Sequence, residues 1–206
     1  MRLEILVEEP SAEAALNVLI PVLVGTSVEY VIRTFRGKTN LLKELPVRLK
    51  AYGKYARQSG VRVVVLVDRD EDDCLELKGR ICKMAVDAGL NPHDGQNLEP
   101  MLLCRIAIEE LEAWFFGDVP ALVATYPRVP SSLGNRVAYR DPDNIKGGTW
   151  EALERVLQQH GYHQAGLPKV AAATSIAQQM NVEENRSHSF RAYRDGVRRV
   201  VGPVDA

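Results

Sequence analysis

The sequence predicts an α/β protein in which a mostly parallel sheet is flanked by helices, with a helical C-terminal extension. Three observations carry this. Short β-branched runs alternate with stretches of helical period from residue 2 to about residue 116. One run, "VRVVVLVD" at 61–68, is apolar without alternation, as a central strand covered on both faces requires. Beyond Thr149 the pattern is helical throughout.

In chain order, "RLEILV" (2–7) reads as the first strand. The helix that follows should be capped by Ser11 with Pro10 beside it, its apolar face being Ala15, Leu16, Leu19 and Val22 or Leu23. "VEYVIRTF" (28–35) is a second strand, and Leu41, Leu42, Leu45 and Leu49 mark a helix from about Thr39 to Arg57. After the third strand at 61–68, a helix runs from about Asp72 to Ala88 and is closed by Gly89. "LLCRIAIE" (102–109) is the fourth strand, and "LEAWFF" turns straight back into helix. Asp118 to Tyr126 reads as a short capped helix. Residues 128–148 are rich in Pro, Gly, Ser and Asn without a period, the mark of a functional or mobile loop. Trp150–His160, Lys169–Met180 and Arg186–Val201 are helical. The chain divides into an α/β core, 1–126, and a loop and helical extension, 127–206, packed on it; it has no internal repeat.

Composition narrows the partners. A formal net charge of -1 over 206 residues provides no global attraction to nucleic acid or membrane, so such a partner would need a local patch. Cys74, Cys82 and Cys104 form no CxxC pair, which argues against a disulfide framework or a thiolate zinc site. The four histidines are scattered through expected loops and helix ends. No apolar run is long enough to span a bilayer, and "MRLEILVEEP" leaves no room for a secretory signal, so a cytoplasmic protein is expected.

Chemistry is suggested where the strands end. In an open parallel sheet, ligands gather beyond the carboxyl ends of the strands. Three of the four strands here end in acid: Glu8 and Glu9, Asp68 and Asp70, Glu109 and Glu110. Asp68 and Asp70 are two residues apart and project to one side in extended chain. If the first and third strands are neighbours, Glu8 faces them, and such a trio suits Mg²⁺ or Mn²⁺, which take oxygen ligands. The competing reading is a helix start, because Asp70, Asp72 and Asp73 also suit N-capping.

Sharper motifs fail. An EF-hand loop from Asp68 needs Gly at 73 and Glu at 79, where the chain has Asp73 and Gly79. Gly37-Lys38-Thr39 mimics the end of a phosphate loop, but the earlier glycine position holds Ile32, and the segment follows the second strand. Asp-x-Asp after a strand resembles haloacid-dehalogenase-type phosphatases, yet Glu71 and Asp72 follow where those continue with Gly and Thr or Val. A response-regulator receiver shares the acid positions but is much shorter.

"LVEEPSAE" followed by "VVVLVDRDEDD" resembles the TOPRIM domain of topoisomerases, primases and overcoming-lysogenization-defect nucleases. Glu8, Pro10, Ser11 and Glu13 fit that pattern, while Glu9 replaces its usual glycine. Together with "FRGKTNLLKELPVRLKAY", "AIEELEAWFFGD" and "RSHSF", the chain resembles the bacterial TOPRIM-like family called domain of unknown function 4276 over nearly its whole length. The resemblance implies that Glu8, Asp68 and Asp70 are metal-binding and catalytic acids, with Glu112 a fourth ligand candidate one helical turn from Glu109. It implies that Lys169 stabilises charge on a phosphate. It also implies an effector nuclease of a phage-defence system, with an ATPase partner, or a non-catalytic subunit that binds metal or nucleotide in such a complex. In "SFRAYRDGVRRV", Arg191, Arg194 and Arg198 share a helix face that could contact the backbone of DNA or RNA or an acidic partner; otherwise that face is simply solvated. The expectation is therefore a Mg²⁺-dependent phosphodiester-cleaving nuclease.

Overall fold

The computed structural model describes residues 1–54, 56–93 and 99–202. Its strands, β1 (Arg2–Val7), β2 (Glu29–Thr34), β3 (Val61–Asp68) and β4 (Leu102–Ala107), form one all-parallel sheet in the order β2-β1-β3-β4. The helices are α1 (Pro10–Val24), α2 (Lys38–Gly53), α3 (Ala56–Ser59), α4 (Cys74–Asp87), α5 (Ala113–Phe116), α6 (Val119–Thr125), α7 (Thr149–Gln159), α8 (Lys169–Ala177) and α9 (His188–Val201). Among the described residues no helix is long and apolar enough to cross a membrane.

The central run of β3 is apolar without interruption because both of its faces are covered. Val64 and Leu66 pack with Leu16 and Ile20 of α1, Ile176 of α8, and Phe190 and Val197 of α9. Val63, Val65 and Val67 pack on the other side with Leu45 and Leu49 of α2 and Ile81 of α4. A doubly wound sheet follows from this alternation, since each β3 side chain has a helix to meet. Of the C-terminal helices, α9 lies against β4 and β3 while α8 packs on α1, and their apolar residues are continuous with those of α1 and the sheet.

Local differences from the sequence reading have local causes. Glu9, not Ser11, occupies the N-cap position of α1; Ser11 lies inside the first turn, where its hydroxyl donates to the Glu9 carboxylate. α2 stops at Gly53, short of Arg57, where the chain passes so close to the end of α4 that a Cβ would lie 1.9 Å from the Ala88 carbonyl oxygen. β4 ends at Ala107 and does not run on to Glu109; the Ala107 and Glu109 carbonyls accept the N–H groups of Arg69 and Asp70 at 2.9 and 3.1 Å.

The 128–148 segment is held in place. It contains two short 3₁₀ turns, Ser131–Asn135 and Pro142–Asn144. Tyr139 stacks on Phe116, with centroids 5.3 Å apart, and the Arg140 carbonyl accepts from Arg186 at 2.7 Å. Asp143 accepts from the Ser187 and Ser189 hydroxyls, both at 2.8 Å, and from the His188 N–H, so it fastens the loop to the start of α9.

Candidate functional site

From β1 the chain steps outward to β2, then crosses back to place β3 on the other side of β1. The switch point of the sheet therefore lies between β1 and β3, where open α/β sheets form their crevice. Val7 is in register with Leu66, and Asp68 with Ala107, so Glu8, Asp68 and the turn after β4 all emerge at one edge.

Glu8 is 8% exposed, and its carboxylate accepts the backbone N–H of Asp68. Burial pushes its pKa up to about 7; the Asp68 N–H and Lys38 work against that rise, while the charges of Asp70 and Glu9 add to it. Asp68 is half-buried, and desolvation followed by the charges of Glu8, Glu112, Glu9 and Asp70 holds its carboxyl well above the usual range. Glu112 is 2% exposed; burial again raises its pKa to about 7, opposed by Lys169 and reinforced by Glu9. These acids lie close enough to oppose one another's ionisation, and among the described residues none of Glu8, Asp68 and Glu112 forms an ion pair.

The rest of the acidic run is divided by role. Asp70 has φ +49°, and its half-exposed carboxylate meets Lys38 Nζ at 2.7 Å. The same Nζ reaches Asp72 at 2.7 Å and the Arg69 carbonyl at 3.0 Å. Asp73 caps α4, accepting from the N–H groups of Leu75 and Glu76, each at 2.9 Å. Of the three acids that suit a helix start, Asp73 is the cap, while Asp70 and Asp72 turn to Lys38 instead. Glu109 pairs with Arg69. Glu110 caps α7 by accepting from the Thr149 N–H, the Thr149 hydroxyl and the Trp150 N–H.

Lys38 is the site residue that sequence reasoning missed. Its segment fails as a phosphate loop, yet the available signal was its position just past the end of the strand beside β1. Gly37, at φ +86°, donates its N–H to the Glu8 carbonyl at 2.9 Å, which turns Lys38 inward over the acids.

The turn that carries Glu112 leads into a helix anchored by residues far along the chain. Trp114 is completely buried, edge-on to Phe190 at 5.2 Å, and its indole N–H donates to the Ser189 hydroxyl at 3.0 Å. Asn185 donates to the Trp114 carbonyl at 2.8 Å, and a Cβ at Gly117 would lie 2.1 Å from the Asn185 side-chain oxygen. The "EAWFFGD" and "RSHSF" segments are thus two halves of one buried joint. Lys169 begins α8 with its ammonium 4.3 Å from the Trp150 ring centroid and its charge felt at Glu112.

The arginine row on α9 is occupied internally. Arg194 donates to the Val182 carbonyl at 2.9 Å and pairs with Asp195 at 2.7 Å. Arg198 forms a two-pronged pair with Glu183 and reaches the Leu23 carbonyl at 3.2 Å. Arg191 contacts the His188 ring at 3.1 Å.

A hard divalent cation suits this donor set in chemistry, because the buried acids are all oxygen donors and uncompensated. As the side chains stand, no three His, Cys, Asp or Glu among the described residues close on one point. Glu8 is drawn to the Asp68 N–H and Asp70 to Lys38, so joint ligation requires Glu8 to turn from the backbone. A family model described as "Domain of unknown function (DUF4276)" matches residues 7–198. No curated protein and no solved structure matches the chain.

Proposed function

The chain belongs to the DUF4276 family, and we propose that it is a TOPRIM-like, divalent-cation-dependent nuclease that hydrolyses phosphodiesters in nucleic acid. One observation carries this reading: Glu8 and Asp68 emerge side by side at the switch point of the sheet, joined by a hydrogen bond, with the charge of Glu112 felt at Asp68, and among the described residues none of the three is in an ion pair. Uncompensated buried carboxylates are costly, and a bound cation relieves that cost.

Glu8, Asp68 and Glu112 would hold Mg²⁺ or Mn²⁺. When bound, such an ion makes water more acidic and offsets charge on a phosphate. Asp70 belongs to the outer side of the site, where it orients Lys38. The charge of Lys38 is felt at Glu8 and that of Lys169 at Glu112, and their ammonium groups would hold the phosphate and stabilise the charge that develops on it. An ATPase partner fits the same reading as the subunit that delivers the substrate strand.

The test is cleavage of labelled single- and double-stranded DNA and RNA with Mg²⁺ or Mn²⁺, alone and with an ATPase partner and ATP. Cutting should vanish in Glu8→Gln, Asp68→Asn and Glu112→Gln at unchanged fold, and Lys169→Ala should lower the rate more than the affinity. No cleavage under any of these conditions, with metal binding and partner assembly intact, would replace the nuclease with a non-catalytic assembly subunit.

A further inference from the structure

Between the 137–146 segment and α7 lies a cavity of about 440 Å³ whose lining includes Tyr139, Arg140, Asp141, Asn144, Lys146 and Arg155. Three of these residues are cations, and among the described residues none of the three is in an ion pair. Lys146 donates to a neutral partner, the Asn144 side-chain oxygen, at 3.1 Å. One carboxylate, Asp141, shares the lining, which leaves the cavity with an excess of positive charge.

The backbone that carries these side chains is anchored. Asp143, between Asp141 and Asn144, is fixed by its three bonds to residues 187–189. The Arg140 carbonyl is held by Arg186, and the Tyr139 ring lies parallel to Phe116 with an interplanar angle of 4°. Arg155 projects from α7, whose first turn is tied down by Glu110. Exposed cations gathered on one concave surface without carboxylate partners are suited to an anion, which their summed charge attracts. Through Tyr139 the lining reaches α5: its ring stacks on Phe116, the last residue of the helix that Glu112 precedes.

We propose that this cavity is a phosphate-ester subsite, holding a phosphate of the substrate at a distance from the carboxylates. The inference rests on the phosphodiesterase reading for its substrate class, but its binding step needs no metal.

The test is fluorescence anisotropy of labelled single-stranded DNA and RNA in EDTA, with an unlabelled mononucleotide and inorganic phosphate as competitors. Wild type should bind with strong salt dependence. Combined Arg140→Gln, Lys146→Gln and Arg155→Gln should weaken binding about tenfold or more and reduce the log–log salt slope by about 2, since each single-strand phosphate neutralised contributes about 0.7. Combined Arg140→Lys and Arg155→Lys keeps the charge and should stay within a few-fold of wild type, showing that the loss reflects charge and not misfolding. Competition by oligonucleotide alone assigns a strand backbone; equal competition by mononucleotide assigns a free phosphorylated ligand; both support the subsite. Equal affinity in wild type and the triple glutamine variant, or no binding of any phosphate ester, overturns it. The Mg²⁺-induced thermal shift of the triple variant should match wild type. Loss of that shift in wild type itself would count against the acid cluster and leave this cavity standing.

Discussion

The carboxylate of Glu8 accepts the backbone N–H of Asp68, joining two acids 60 residues apart in the chain by one hydrogen bond across adjacent parallel strands. This bond holds Glu8 at the switch point, so the proposed cation would compete with it for the Glu8 carboxylate.

Mg²⁺ or Mn²⁺ should therefore raise the melting temperature. At a concentration 100-fold above Kd the linkage is about 2.7 kcal/mol, or roughly 5–10 °C for a chain of this size. Asp68→Asn and Glu8→Gln should remove most of the shift. Asp70→Asn should leave most of it, because Asp70 faces Lys38. Differential scanning calorimetry decides; a shift that depends on Asp70 as strongly as on Asp68 would put Asp70 among the ligands.

Without metal, stability should fall as pH rises from about 4.5 to 7. Glu8 and Glu112 have folded pKa values raised to about 7 from an ordinary 4.5, so in that window the folded state binds more protons than the unfolded one. Raising the pH then favours unfolding, and the loss is complete once both groups ionise. Glu112→Gln should flatten the profile and stabilise the metal-free protein at pH 8. Urea titrations across the pH range in EDTA measure this; a variant less stable than wild type at pH 8 would contradict buried charge at this position.

Lys38→Met removes the cation shared by Asp70 and Asp72. The pairs are half-exposed, so the stability cost should be modest, about 1 kcal/mol. The more telling effect is on Glu8, whose proton affinity Lys38 lowers. Carboxyl ¹³C shifts should show Glu8 titrating at higher pH in the variant; an unmoved titration would mean that Lys38 does not act on the cluster.

Asp143→Ala should cost about 2 kcal/mol, since it removes an acceptor shared by two hydroxyls and an N–H at the start of α9. The melting temperature should drop by about 4–8 °C. Hydrogen exchange should locate the loosening at residues 137–146 and the first turn of α9. Loss confined to α9 would show that the loop is held by other contacts.

The sheet was legible because its signals are local. The apolar run of β3, the alternation of strand and helix, and Gly89 at the end of α4, with φ +77°, each follow from a few adjacent residues. Glu8 beside Asp68 was readable once the first and third strands were supposed neighbours, because strand ends align in a parallel sheet. The fate of Asp70 was not readable. It depends on Lys38, which arrives from the far end of β2. Arg194 and Arg198 share one helix face in the sequence pattern, but their partners lie in the turn at 182–183 and at the end of α1, positions that helical period does not reveal. Glu110 was grouped with the strand-end acids although its oxygen was destined for α7. Pairings set by tertiary approach leave no periodic trace.

The joint around Trp114 has a consequence for timing. The groups that seat it, Asn185 and Ser189, lie 71 and 75 positions further along the chain. At synthesis rates of about 5–20 residues per second, that gap lasts several seconds. Through that interval Glu8 and Asp68 are already made, while the Trp114 indole, two positions from Glu112, still has no hydroxyl to bond. The joint that anchors the Glu112 turn is therefore completed late in biogenesis, by the same segment that closes the face of the sheet.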